Sequence, residues 1–159
     1  MLSRFRQFAE PAIRRVLHFY WRFARGMTLG VRGIVLDAQG RVFLIRHSYV
    51  PGWHLPGGGV ETGETMILAL TRELEEEGKI VFTAPPPLFA IYFNLHVSRR
   101  DHVALYVIRD FKQTETPKPN REIVESGFFP FDSLPDGTTQ GTRRRIAEVT
   151  SGSPPSPYW

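Results

Sequence analysis

The chain has 159 residues, 42% of them hydrophobic and 23% charged, a size and balance that predict one soluble globular domain with a sizeable core. It contains no cysteine, which excludes disulfides and thiolate-held metals and leaves oxygen and histidine as metal donors. The net charge of +4 comes mostly from arginine, a residue suited to planar recognition of phosphate groups. Outside the N-terminus the positive charge forms no stripe interleaved with aromatics, so no stable nucleic-acid complex is expected. The cysteine count fits a reducing compartment, and a cytoplasmic location is expected.

Residues 2–25 read as an amphipathic basic helix, or as two helical pieces meeting at Pro11. Leu2, Phe5, Ile13, Val16, Leu17, Tyr20 and Phe23 recur at helical spacing, and Arg4, Arg6, Arg14, Arg15, Arg22 and Arg25 supply the polar side. No uninterrupted apolar stretch follows the positive end and arginines recur throughout, so neither a signal peptide nor a transmembrane span is expected. Three readings stay open: a helix packed on the domain or on the second subunit of a homodimer, a weak membrane-surface contact, and a nucleic-acid contact. The expected organisation is an appendage over 1–26, a domain over 27–150 and a flexible Ser/Pro-rich tail over 151–159, with Tyr158-Trp159 as a candidate anchor.

From Leu29 the period becomes strand-like. Leu29–Asp37 and Arg41–His47, around Ala38-Gln39-Gly40, predict a hairpin. Arg46 and His47 end its second strand within reach of a site at the sheet's mouth, although a single His there reads more simply as a surface or hydrogen-bonding residue. Trp53 either stacks a base or plugs the core. Leu55-Pro56-Gly57-Gly58-Gly59 lets backbone approach a ligand or ion closely. Gly63-Glu64-Thr65 predicts a turn and a helix start, with the helix over 65–77, Met66, Leu70 and Leu74 on its buried side and Ala69 at a close contact. Glu73, Glu76 and Glu77 then share one helix face, where like charges destabilise a bare helix by about 0.2–0.5 kcal/mol per pair. Acidic helix runs are commonly solvated faces. Behind a glycine loop, however, this one reads as half of a metal–phosphate site, because a hard divalent cation removes the repulsion. Gly78 reads as a left-handed cap.

Further on, Pro85-Pro86-Pro87 is a stiff connector. Leu88–Leu95 and His102–Phe111 predict strands, and the loop between them carries Arg99 and Arg100 as solvated charges or phosphate contacts. Gln113–Asn120 is a loop, followed by Glu122 and Glu125 before an aromatic strand. Thr138–Val149 predicts a last helix with Arg143, Arg144 and Arg145 exposed.

Residues 58–80, GGVETGETMILALTRELEEEGKI, resemble the box of the Nudix hydrolases, G-x5-E-x7-R-E-U-x-E-E-x-G-U with U aliphatic. Gly58, Glu64, Arg72-Glu73, Leu74, Glu76-Glu77 and Ile80 fill its fixed positions, and the family's last glycine falls on Lys79. The resemblance implies an α/β Nudix fold, a mixed β-sheet sandwiched between α-helices. It implies a pyrophosphohydrolase cleaving a nucleoside triphosphate or nucleoside diphosphate derivative by water attack at phosphorus. Mg²⁺ or Mn²⁺ would sit on Glu73, Glu76, Glu77 and the Gly57 carbonyl. Arg72 would orient the acids, Glu64 would brace the loop–helix junction, and Arg46, Trp53, Gly58 and Gly59 would line the substrate. In the family the last long loop often brings one more carboxylate, for which Glu125 is the first candidate and Glu122 the second. The base that takes the water's proton is a box glutamate or Glu125. The partner implied is a small-molecule nucleotide. Signatures of the NADH, coenzyme A and ADP-ribose subgroups are missing. Two alternatives on the same fold are a non-hydrolytic nucleotide sensor and an isoprenoid diphosphate isomerase, the second disfavoured by the absent cysteine.

Overall fold

The structure is a computed structural model that describes the backbone of residues 2–159 and the side chains of residues 13–159. Helix α1 spans Leu2–Ala24 as one helix rather than two pieces meeting at Pro11. The side chains of Leu2, Arg4, Phe5 and Arg6 lie outside the described residues. From Ile13 to Arg25 every residue is exposed, so this stretch is not packed on the domain.

The domain consists of β1 (Thr28–Val35), β2 (Arg41–His47), β3 (Trp53–His54), α2 (Met66–Gly78), β4 (Ile80–Phe82), β5 (Leu88–Phe93), β6 (Asp101–Ile108), β7 (Phe111–Gln113), β8 (Ile123–Pro130) and α3 (Gln140–Ser151). The strands form three small sheets in the orders β1-β6-β5, β3-β2-β8 and β4-β7. The first is mixed, with β1 parallel and β5 antiparallel to β6, while the other two are antiparallel.

Period-two alternation along the strands divides the core in two. Val31, Val35, Phe43, Ile45, Ala104, Tyr106 and Ile108 face α2 and meet its Ala69, Leu70 and Leu74. Ile34, Leu36, Val42, Leu44, Leu105 and Val107 face the other way, toward Ile146 and Val149 of α3. This is the expected α/β/α arrangement. Leu70 and Leu74 are fully buried, each contributing on the order of 2 kcal/mol of apolar transfer.

Four local expectations are corrected. The predicted hairpin between β1 and β2 closes, with Asp37 Oδ1 accepting from the amides of Gln39 and Arg41 at 3.0 and 2.8 Å. Yet the strands share only the Leu36–Val42 bridge before entering different sheets. The cause is that the Pro56–Val60 loop bonds β1, through Val31 N to Gly58 O, Gly33 N to Pro56 O and Val60 N to Leu29 O. The predicted strand over 102–111 breaks after Ile108, because Phe111–Gln113 turns away to pair with β4.

Arg145, expected exposed, has no solvent exposure. Its guanidinium lies 4.2 Å from the Tyr92 ring, donates to Tyr158 O at 2.7 Å and pairs with Glu148 at 2.8 Å. Those partners satisfy Nη1 and Nη2, as burial requires, while Nε is buried without a hydrogen-bond partner. The same contacts overturn the flexible-tail expectation for 151–159. Phe93 donates its N–H to Pro157 O, Trp159 donates back to Phe93 O, and the Trp159 ring stands edge-on to Tyr92. The predicted anchor residues hold this segment down.

Candidate active site

The loop before α2 and the helix itself are fastened together by charge. Thr65 caps α2, its hydroxyl accepting from Leu68 N at 3.2 Å, so the helix begins where the Gly63–Thr65 turn predicts. Arg72 reaches back across the turn. Its Nε and Nη2 donate to the two carboxylate oxygens of Glu64, its Nη1 to Glu73 at 2.5 Å, and its Nη2 also to Gly59 O at 3.2 Å. Those charge-assisted bonds raise the pKa of Arg72, with Glu64 the larger cause, and Glu64 is correspondingly lowered by Arg72. A methyl group on Gly58 would push the Glu73 carboxylate out of its place beside Arg72. On the next turn of the helix, Glu77 Oε2 accepts the Gly57 N–H at 2.7 Å. The Gly57 carbonyl itself is taken by the Arg32 guanidinium, which also reaches Leu55 O.

Glu73, Glu76, Glu77 and Glu122 line one cavity of about 470 Å³, together with Arg72, Lys79, Asn120 and Ile123. The four acids differ in setting. The Glu77 side chain is 6% exposed and that of Glu76 is 64% exposed. Burial pushes the Glu77 carboxyl up to about 8, against the opposing pull of the Gly57 N–H and Arg32. His47 Nε2 stands 3.8 Å from Glu77, and ligand atoms of His47, Glu77 and Glu122 lie within 4.8 Å of one another. Burial, then the nearby Arg32, holds the His47 pKa below its ordinary value, which favours the neutral imidazole a metal requires. Its Nδ1 is buried without a hydrogen-bond partner. The carboxylates gathered here are the oxygen donors a hard divalent cation takes, while the imidazole is a donor better suited to borderline ions.

A second cavity of about 620 Å³ adjoins the first. Arg32, His47, Tyr49, His54, Gly58, Gly59, Asn94 and the start of α3 are among its lining. Tyr49, on this side, donates its hydroxyl proton to Glu122, on the other, at 3.0 Å.

Not every predicted residue comes to this place. Glu73, Glu76, Glu77, Arg72 and Glu64 gather on α2 and its entry loop, and Gly58 and Gly59 line the larger cavity. Arg46, Trp53 and Glu125 form a cross-strand row on the opposite face of β2. Arg46 bonds Glu125 at 2.7 Å and its guanidinium sits 5.9 Å from the Trp53 ring. Trp53 is buried in the α3-side core, edge-on to Phe129, and plugs it. Glu125 thus lies away from the carboxylate cavity, which Glu122, the second candidate, lines. A bulge between Arg46 and His47 shifts the β2–β8 register just there. His47, passed over as an isolated histidine, belongs to the cluster. Its one signal is parity: it follows Phe43 and Ile45 on the α2 side. Arg32 was missed as well, since an arginine inside an apolar strand has no motif to announce it.

A glycine loop locked onto an acidic helix, with a carboxylate-lined cavity beside an arginine- and histidine-lined one, is the candidate active site of this α/β/α scaffold. Residues 26–149 match the NUDIX domain family, and the chain belongs to that family. The crystal structure of the MutT NUDIX hydrolase from Burkholderia pseudomallei is similar, with a TM-score of 0.65 and 26% identity over 77% of this chain and 97% of that one. A NUDIX hydrolase from Nitrosomonas europaea shares the fold, with a TM-score of 0.65 and 19% identity over 79% of this chain and 90% of that one. Among curated proteins, an RNA pyrophosphohydrolase of Francisella tularensis subsp. mediasiatica (strain FSC147) is 42% identical over 52 residues, which is 33% of this chain and 34% of the relative. One from Stenotrophomonas maltophilia (strain K279a) is 50% identical over 46 residues, 28% of this chain and 22% of the relative. The likeness to these curated relatives thus spans about a third of their length or less.

Proposed function

We propose that the chain is a divalent-metal-dependent pyrophosphohydrolase that cleaves a nucleoside triphosphate or nucleoside diphosphate derivative by attack of water at phosphorus. The observation that carries this reading is the convergence of Glu73, Glu76 and Glu77 of α2 with Glu122 of a distant loop on one cavity. Phosphoryl chemistry needs positioning and charge stabilisation more than covalent help. Glu77, Glu122 and His47, with Glu73, would hold Mg²⁺ or Mn²⁺, which when bound supplies Lewis-acid stabilisation of charge on the phosphate oxygens. The other groups set the stage for it. Arg72 keeps Glu64 and Glu73 in fixed positions, and Arg32 pins the loop while adding a positive charge beside the larger cavity. Glu76, the most exposed of the box acids, accepts the proton of the attacking water. The larger cavity takes the nucleoside portion, with Tyr49, His54 and Asn94 available for stacking and hydrogen bonding.

The test is release of phosphate, pyrophosphate or nucleotide from a panel of nucleoside triphosphates, sugar nucleotides, ADP-ribose and dinucleotide polyphosphates, with and without Mg²⁺. Metal-dependent cleavage of one class is expected, and it would name the substrate. A blank panel together with tight nucleotide binding by calorimetry would replace the hydrolase reading with that of a nucleotide sensor.

A further inference from the structure

We propose that α1 docks this protein on an anionic lipid bilayer, independently of which nucleotide the domain takes. Residues 2–25 carry six arginines against the single acidic residue Glu10, a surplus of five positives that exceeds the whole chain's net +4. The remainder of the protein is therefore slightly acidic, and its basic character resides in this helix. At about 100° per residue, Val16, Phe19, Tyr20 and Phe23 fall on one side of the described part, while Arg14, Arg15, His18, Arg22 and Arg25 fall on the other. The apolar side is uncovered: Val16 and Phe19 are each 68% exposed, and Tyr20 and Phe23 are each 63% exposed. Trp21 sits at the border of the two faces, with the Arg25 guanidinium 5.3 Å from its ring.

Three surfaces are able to cover such a helix, and they differ in what they satisfy. A nucleic acid neutralises the arginines but leaves a row of aromatic side chains in water. A second copy of α1 covers the aromatics but brings two surpluses of positive charge together. An anionic bilayer does both at once, because the aromatic side sinks into the headgroup–acyl boundary while the arginines meet lipid phosphates. Boundary tryptophan and tyrosine suit that interface. Among the described residues no helix is long and apolar enough to cross a membrane, so α1 would lie in the surface plane.

The experiment is co-sedimentation of the full chain with vesicles of phosphatidylcholine, alone or with about one third phosphatidylglycerol. Two double variants accompany it: Phe19→Asp with Phe23→Asp on the apolar side, and Arg15→Glu with Arg22→Glu on the basic side. All four positions are exposed and lie outside the domain, so thermal unfolding of the domain is expected to be unchanged. The parent should bind anionic vesicles at least tenfold better than neutral ones and lose that preference in high salt, and each double variant should bind at least tenfold more weakly. Binding lost only in the basic variant, with equal retention of a single-stranded oligonucleotide, would overturn the proposal in favour of a nucleic-acid contact. A concentration-dependent dimer by sedimentation velocity, abolished only by the apolar variant and with no vesicle binding, would overturn it in favour of self-association. Absence of vesicle binding at low salt overturns it outright.

Discussion

His47 and Arg46 are neighbours in the sequence, yet they belong to different parts of the molecule. His47 lies on the α2 side of β2 with Phe43 and Ile45, against Glu77 and Glu122. Arg46 lies on the α3 side with Val42 and Leu44, in a row with Trp53 and Glu125. Both faces carry an acid from the segment around β8, a ring system and a nitrogen base. On the first, the acids outnumber the cations and one carboxylate is buried at a cost. On the second, Arg46 and Glu125 neutralise one another at half-exposed positions, where an ion pair contributes at most about 1 kcal/mol. Charge is left unbalanced only on the cavity side, and one residue of strand parity decides which side a group joins.

The largest expected effect falls on the second face and on stability alone. Trp53→Ala should lower unfolding free energy by about 3–5 kcal/mol, measured by urea denaturation, because it opens a void in the α3-side core. The fraction that remains folded should keep its KM for the nucleotide. A raised KM with intact stability would restore Trp53 as a substrate contact and erase the distinction between the faces. On the first face, Glu77→Gln should cost about 10²-fold or more in kcat, on the scale of groups that act in the transition state. It should leave the metal-free protein at least as stable near neutral pH, since Gln keeps an acceptor for the Gly57 N–H and removes a carboxyl whose ionisation burial opposes. The sharpest comparison pairs the two acids flanking β8's start. Glu122→Gln should lower kcat/KM about tenfold or more and raise the metal concentration needed for half-maximal rate, whereas Glu125→Gln should stay within about twofold. Equal losses would place both on the site.

Much of this was readable from residues whose role is local. The helix start at Gly63–Thr65 and the buried Ala69, Leu70 and Leu74 follow from spacing along one helix and its entry turn, while the roles expected of Arg72 and Glu64 came with the family resemblance. What escaped depended on register. Whether Glu122 or Glu125 faces α2 is set by the bulge at Arg46–His47, which no spacing of side chains announces. Arg145 was misread for the same kind of reason: three arginines in a row look solvated until mid-chain Tyr92 and the 157–159 segment close over one of them. The divergence of β1 from β2 likewise comes from a loop residues away that takes the edge a hairpin partner would have used.

The smallest effect concerns the one place where the chain departs from its family's box. The helix does not stop early at Gly78, as the shifted glycine suggests. Gly78 is helical and buried, where a methyl group would stand 2.9 Å from side-chain atoms of Ile80 and Phe43. The left-handed position is Lys79, at φ 54° and ψ 34°, with its N–H capping Glu75 O and Leu74 O. The left-handed residue therefore falls at the box's glycine position, and a residue with a Cβ occupies it, which costs about 1–2 kcal/mol relative to glycine. Part of any relief is lost again to the greater freedom of glycine in the unfolded chain, about 0.4–1 kcal/mol. Lys79→Gly should therefore stabilise the protein by roughly 0.5–1 kcal/mol in urea unfolding. If the position serves only the turn, kcat should stay within about twofold of the parent. A larger fall in rate would instead show that the Lys79 side chain, which lines the carboxylate cavity, contributes to the charge balance there.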